Sequence, residues 1–97
     1  MEIKILQSAQ QDIVDAYYFY EKQQTGIGTY FLDSIYRDID TLDTHAGIHP
    51  IFFKHYYRLL SKRFPFAVYY KIKQQTVFIY AVLDCRKNPA WIRKKLK

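Results

Sequence analysis

The sequence has little of the residue types on which disulfide-stabilised, zinc-binding and membrane-spanning proteins depend. Its 97 residues include one cysteine, three glycines and three prolines. The lone Cys85 excludes an internal disulfide, and no Cys/His spacing resembles a zinc site. No apolar run approaches the length of a membrane span, and the N-terminus lacks the features of a signal peptide. We therefore expect a cytoplasmic protein with no metal, no other cofactor and no membrane partner.

Acidic residues are almost missing from the second half of the chain. Residues 51–97 contain twelve Lys and Arg but only one acid, Asp84, whereas residues 1–50 contain three basic and eight acidic side chains. The two halves thus carry −5 and +11, and the whole chain +6. A basic segment interleaved with Tyr and Phe is typical of surfaces that bind nucleic acid or an acidic protein. The alternative is a solvated basic face without a partner.

The composition is that of a folded domain. Hydrophobic residues make up 49% of the chain and aromatic residues 19%. A chain of this size buries roughly 60–70% of its unfolded surface. The sequence therefore predicts one domain that spans residues 1–97.

The first half predicts a strand followed by two helices. Residues 2–6 alternate and indicate a strand. Ser8 and Gln11 have the spacing of a capping box, which marks a helix start. Helical spacing continues to about Gln24, and the segment Thr25–Gly28 can end the helix.

A second helix follows, up to about His45. Its apolar side chains recur at helical spacing and are Phe31, Ile35, Ile39 and Leu42. Because only a short turn joins the two helices, we expect an antiparallel helical hairpin.

After the helices the apolar period changes from 3.6 to 2. Residues 56–63 predict a second strand, and a third begins at Pro65. In the third strand, one face is formed by Phe66, Val68, Tyr70 and Ile72, and the other by Ala67, Tyr69, Lys71 and Lys73. Gln74–Gln75 predicts a hairpin turn, although it lacks glycine.

Residues 76–85 are apolar on both faces, which is typical of a central strand. Asn88–Pro89 then opens a basic C-terminal helix, which we expect Trp91 and Leu96 to pack onto the sheet. The predicted order is β-α-α-β-β-β-α. This is an α+β fold in which the helical hairpin covers one face of a small, mostly antiparallel twisted sheet.

The run Arg63–Tyr70, followed by a strand that closes in Ala81–Lys87, resembles the RelE/ParE toxin superfamily. Tyr18–Glu21 and the joint Gly26–Gly28 before Phe31 add to this resemblance. The members it is similar to are the toxin halves of type II toxin–antitoxin (plasmid stabilization) systems. The resemblance implies a small basic toxin that a cognate antitoxin holds inactive. The basic half of the chain would suit an acidic segment of that antitoxin.

The resemblance implies two possible activities. RelE-like members cleave mRNA in the ribosome with basic residues and a tyrosine on the concave sheet face, whereas ParE-like members act on DNA gyrase. The nuclease pattern implies arginine where this chain has Phe66, and lysines at or beside Tyr57 and Leu59. Of the basic residues that the nuclease pattern implies, this chain has only the one after the last strand, as Arg86 or Lys87. The pattern therefore favours a ParE-like toxin without an active site of its own. A ribosome-dependent endoribonuclease and a non-toxic nucleic-acid-binding module stay open as alternatives.

The candidate binding residues come from the basic half. Side chains that could contact phosphate, a target surface or antitoxin carboxylates are Lys54, His55, Arg58, Lys62, Arg63, Arg86 and Lys87. The alternative for each is a surface position or surface ion pair that adds little stability. Tyr57, Tyr69 and Tyr80 could stack on exposed bases, or they could pack in the core. We assign no catalytic residue and no metal ligand.

Overall fold

The computed structural model describes all 97 residues and contains five strands and four helices. Their bounds are β1 Glu2–Ile5, α1 Gln7–Gln23, α2 Ile27–Asp40, α3 Leu42–His45, β2 Ile51–Phe53, β3 Tyr56–Leu60, β4 Phe66–Lys73, β5 Thr76–Asp84 and α4 Pro89–Lys95. The strand order in the sheet is β1-β5-β4-β3-β2. Only the β1–β5 pair is parallel, which confirms the predicted α+β class with a mostly antiparallel sheet. None of the helices has both the length and the apolar character needed to cross a membrane.

The hairpin of α1 and α2 covers one face of the sheet, as the helical periodicity predicts. The predicted apolar face of the second helix is fully or almost fully buried there, against Val68 and Tyr70 of β4. Alternate β4 residues Ala67 and Tyr69 belong to a second apolar cluster on the opposite face. The predicted alternation of β4 is therefore confirmed.

The opposite face of the sheet is covered at one end by α4. Ile92 and Leu96, one helical turn apart, are buried against Tyr69 and Leu83. Trp91 lies beside this buried stripe; it is 39% exposed and lines a cavity with Val82 and Leu83 of β5. The rest of this sheet face is left open.

The start of α1 differs from the prediction. Ser8 lies inside the helix and caps nothing; its hydroxyl donates to the carbonyl of Tyr80 at 2.9 Å. One turn later, the Asp12 carboxylate accepts the backbone N–H of Val82 at 3.0 Å. Because β1 pairs with β5 only up to Ile79, these two side chains satisfy β5 backbone groups that no strand reaches.

Three other features of the secondary structure differ from the sequence-based prediction. The second predicted helix is interrupted at Thr41, and the predicted second strand ends at Leu60 instead of residue 63. The three-residue β2 was not predicted, because Ile51–Phe53 is too short to show alternation. The Gln74–Gln75 turn is confirmed: both residues have left-handed φ values, 50° and 64°, as a two-residue hairpin turn of type I′ requires.

Candidate functional site

The open part of the sheet face opposite the hairpin carries cations set among aromatic rings. The strand register places Lys4 opposite Phe78, and Phe78 opposite Lys71. The ammonium nitrogen of Lys71 lies 4.5 Å from the ring centroid of Tyr56 and 5.2 Å from that of Tyr80. Attraction between a cation and the ring faces holds such a side chain extended over the sheet.

Arg58 extends this arrangement toward β2. It pairs across the strands with Tyr69, and its guanidinium carbon lies 4.8 Å from the ring centroid of Phe52. Burial raises the pKa of Tyr69, and the nearby charge of Arg58 offsets part of that rise. The Tyr69 hydroxyl is enclosed and has no hydrogen-bond partner, so Arg58 acts on it mainly through charge. We call the set Lys4, Phe52, Tyr56, Arg58, Lys71, Phe78 and Tyr80 the cationic sheet face.

Basic side chains in residues 51–97 are almost entirely uncompensated within the chain. The structure has two ion pairs, one between the amino terminus and Asp43 and one between Arg86 and Asp84. Arg86 is thus the single paired member of the twelve Lys and Arg in this half, and the other eleven have no carboxylate within 4.0 Å. Such a surface attracts anionic partners over distances of about a Debye length, ~8–10 Å at physiological salt.

Two of the candidates from the basic half lie at the turn between β2 and β3. Lys54 and His55 form this turn, where Lys54 has a left-handed φ of 52°. His55 lines a cavity of about 250 Å³ together with Lys71 and Lys73. An imidazole beside two ammonium groups could serve RNA cleavage as proton acceptor and charge stabiliser. Among the seven candidates, only Arg58 lies on the cationic sheet face.

The other four candidates lie at the opposite end of the sheet. Lys62 and Arg63 belong to the β3–β4 loop, beside α2. Arg86 follows β5 and is held by the Asp84 carboxylate, with the closest nitrogen–oxygen distance 2.7 Å. Hydrogen bonds from the Arg86 side chain hold the pKa of Asp84 below its ordinary value. Lys87 lies 5.6 Å from the ring centroid of Trp91.

Of the three tyrosines proposed for base stacking, only Tyr80 lies on the cationic sheet face. Tyr69 is fully buried, so its ring is closed to a ligand. Tyr57 packs toward the hairpin side and stacks on Tyr70 with ring centroids 5.1 Å apart. The stacking role is therefore corrected for Tyr69, which serves as a core side chain, whereas Tyr57 is half-buried.

The sequence-based candidates missed five members of the face, which are Lys4, Phe52, Tyr56, Lys71 and Phe78. The alternation of β4 gave a usable signal for Lys71, because it places Lys71 on the same face as Tyr69. Lys4 and Phe78 lie side by side because β1 pairs in parallel with β5, and no local sequence pattern predicts this pairing. Of the positions where the nuclease pattern implies basic residues, Phe66 and Leu59 are buried under the hairpin and Tyr57 is half-buried against the same cluster.

Comparison with known proteins supports the architecture. No protein-family model matches the chain, and no curated protein matches it. Among solved structures, the chain is similar to a chain of the chromosomal ParDE TA system from P. aeruginosa, with a TM-score of 0.78 and 19% sequence identity. The match covers 84% of this chain and 92% of the other. The chain therefore shares its fold with a chain of that ParDE system.

Proposed function

We propose that this protein is the toxin component of a type II toxin–antitoxin module and that it is of the ParE-like kind. It acts in the cytoplasm as one domain of residues 1–97, and it inhibits growth by binding a macromolecular target. A cognate antitoxin with an acidic segment neutralises it. The observation that carries this proposal is the uncompensated cationic sheet face on a fold shared with a ParDE chain.

Binding, rather than catalysis, is the better reading of the cationic sheet face. Its members are three cations and four aromatic rings, and the cations Lys71 and Arg58 lie over the rings. Lys71 and Arg58 are held against rings at 4.5 and 4.8 Å, so their charges are ordered before a partner arrives. Ordered charges reduce the entropy lost on binding and set the register of an anionic partner. DNA gyrase is the target that the resemblance implies.

The test is induced expression of the chain, alone and together with the product of its neighbouring reading frame. We expect growth arrest that the co-expressed partner relieves. With purified protein, we expect gyrase supercoiling to be inhibited while mRNA in a translation mixture stays intact. Unimpaired growth, together with nucleic-acid affinity that falls steeply with salt, would instead identify a non-toxic binding module.

A second candidate function is a RelE-like, ribosome-dependent endoribonuclease. The cavity that brings His55 together with Lys71 and Lys73 favours it. It predicts codon-positioned cuts in a translated message, and loss of cutting in His55→Ala. Arg86→Ala and Lys87→Ala test the basic residues that the nuclease pattern keeps. His45→Ala is the matched control, because His45 ends α3 and does not line this cavity.

A further inference from the structure

Strand β4 extends further than its neighbour β3, and its last residues are unpaired on that side. The final cross-strand pair between the two is Tyr57–Tyr70, whereas β4 continues to Lys73. In an antiparallel ladder, every second pair exchanges hydrogen bonds. The Ser61 N–H donates to the Phe66 carbonyl at 2.8 Å, so the bonded pairs are Ser61–Phe66, Leu59–Val68 and Tyr57–Tyr70.

The next bonding position on β4 is Ile72, and its backbone groups have no partner on the β3 side. The register would bring His55 opposite Ile72, but the chain turns at Lys54 and His55, and no backbone hydrogen bond joins His55 to Ile72. Toward β5, Lys73 and Thr76 flank the two-residue turn and form a bonded pair, so the Ile72 groups point away from β5. One N–H and one C=O are therefore free to bond another chain.

A cavity of about 250 Å³ lies at this position, and we call it the β4 notch. Its walls belong to Ile51, His55, Tyr57, Lys71, Ile72 and Lys73. Tyr57 and Ile72 pack on the hairpin side of the sheet, and Ile51 shares that face because it pairs with Tyr57. Strand alternation places Lys71 and Lys73 on the other side. The notch thus has an apolar wall and a cationic wall, and no carboxylate lines it.

The free groups of Ile72 match one extended residue at the end of a chain. In antiparallel pairing a single residue exchanges both bonds with its partner, whereas parallel pairing requires a residue on either side. Tyr56 lies level with Lys71, whose ammonium nitrogen is 4.5 Å from the Tyr56 ring centroid. A segment beside Ile72 therefore ends before Tyr56. Because an antiparallel segment runs in the direction of β3, the end that reaches Tyr56 is its C-terminus.

We propose that the β4 notch binds the free C-terminus of an extended partner chain whose last residue is apolar and whose preceding residue is acidic. The N–H of the last residue donates to the Ile72 carbonyl, and one oxygen of its carboxylate accepts the Ile72 N–H. The second oxygen faces Lys71 and His55. A carboxylate gives a shorter and stronger hydrogen bond here than a neutral carbonyl would.

The two walls of the notch define the side chains of the partner. The last residue lies opposite Ile72, so its side chain is on the same face, against Ile51 and Tyr57, and must be apolar. The residue before it lies opposite Lys73 and points to the other face. An acidic side chain there meets the Lys73 ammonium. A nucleic-acid phosphodiester would also attract the cations, but it has only acceptors and leaves the Ile72 carbonyl without a donor.

The experiment is fluorescence anisotropy with a short synthetic peptide that is labelled at its N-terminus and ends in Glu-Val with a free carboxylate. The control is the same peptide with a C-terminal amide. A hydrogen bond to a charged group corresponds to about ten- to a hundredfold in affinity, so the acid form should bind at least about tenfold more tightly. N-methylation of the last residue removes the donor to Ile72 and should weaken binding by roughly two- to tenfold.

A charge exchange tests the position of the acidic residue. Lys73→Glu should weaken binding of the Glu-Val peptide by about three- to tenfold and should make a peptide that ends in Lys-Val the better ligand. Lys94→Glu makes the same charge change on α4, outside the notch, and should leave the preference for Glu-Val intact. Lys73 and Lys94 are both exposed, so both variants should fold. The changes made in the peptide do not depend on folding at all.

Equal affinities for the acid and amide peptides, or no binding of either, would overturn the proposal. An unchanged preference for Glu-Val in Lys73→Glu would also contradict it. Displacement of the peptide by a short single-stranded RNA of higher affinity would assign the notch to nucleic acid instead. The inference goes beyond the toxin proposal, and none of these measurements uses growth arrest, so the two proposals can fail separately.

Discussion

The Asp12 carboxylate of α1 accepts the backbone N–H of Val82 on β5 at 3.0 Å. This bond caps the part of β5 that lies beyond the end of β1 and ties the first helix to the sheet. The same packing removes Asp12 from water. Burial raises its pKa from 3.8 to about 6, although the Val82 N–H and the charge of Lys95 each oppose the rise.

The raised pKa of Asp12 predicts a pH-dependent stability. The native chain binds the Asp12 proton more tightly than the unfolded chain does. The contribution of Asp12 to the free energy of unfolding is therefore largest below about pH 4 and declines as pH rises to about 6. We expect a loss of about 1–2 kcal/mol over that window, since water screens a half-buried group. Asp12→Asn keeps an acceptor for Val82 and should flatten the profile in urea unfolding at pH 4 to 7. Parallel profiles for the two chains would contradict this origin.

The joint between the helices depends on the small size of Gly28. The Glu21 carboxylate accepts the N–H of Gly28 at 2.9 Å and that of Gly26 at 3.0 Å. A Cβ atom on Gly28 would lie 2.8 Å from Glu21 Oε1 and 2.8 Å from the Tyr17 ring. We expect Gly28→Ala to lower the unfolding free energy by about 1–3 kcal/mol because the Glu21 carboxylate and the Tyr17 ring must move to admit the methyl group. Thr29→Ala, at the next and exposed position, should stay within about 0.5 kcal/mol. Equal thermal stability of the two variants would argue against the close contact.

Substitutions in the turn between β4 and β5 should stabilise the protein. Gln74 and Gln75 both adopt left-handed φ values, which cost non-glycine residues roughly 1–2 kcal/mol each. Asn-Gly is the preferred pair for this turn type. We expect Gln74→Asn with Gln75→Gly to raise the unfolding free energy by about 1 kcal/mol, after the greater freedom of glycine in the unfolded chain is counted. Gln75→Ala keeps the backbone penalty, so denaturant unfolding should show no comparable gain for it.

Local sequence patterns predicted the parts of the fold that depend on a single segment of the chain. The period of α2 gave its buried face at Phe31, Ile35 and Ile39, and the alternation of β4 gave both of its faces. The turn at Gln74–Gln75 was also recognised, because two strong strand patterns flank it. In each case the signal lies within a window of about ten residues.

The missed features depend on partners distant in sequence. Ser8 has the spacing of a cap, but its hydroxyl bonds to Tyr80, 72 positions away, once β5 lies beside α1. Lys4 joins the cationic sheet face only through parallel pairing with β5. The β3–β4 loop brings Lys62 and Arg63 beside Arg37 of α2, where they line one small polar cavity, and no local sequence pattern predicts that contact.

The functional proposal predicts that Lys71 is the most sensitive position of the cationic sheet face. Its ammonium group lies between the rings of Tyr56 and Tyr80, so its charge is held at one point. Lys71→Glu reverses that charge, and electrostatic complementarity sets both encounter rate and register. We expect the concentration for half-maximal inhibition of gyrase supercoiling, and the Kd for the antitoxin, each to rise at least about tenfold.

Two control variants separate the charge of Lys71 from its packing. Lys22→Glu makes the same charge change in the last turn of α1, outside the cationic sheet face, and should leave inhibition close to that of the unmodified chain. Lys71→Met keeps a flexible apolar side chain but loses the cation, so it should weaken inhibition by an intermediate factor. Loss of the ring contacts costs about 0.5–1 kcal/mol, so all three variants should still unfold cooperatively in thermal melts. If a folded Lys71→Glu protein arrests growth and binds antitoxin as the unmodified chain does, the cationic sheet face is not the surface that recognises either partner.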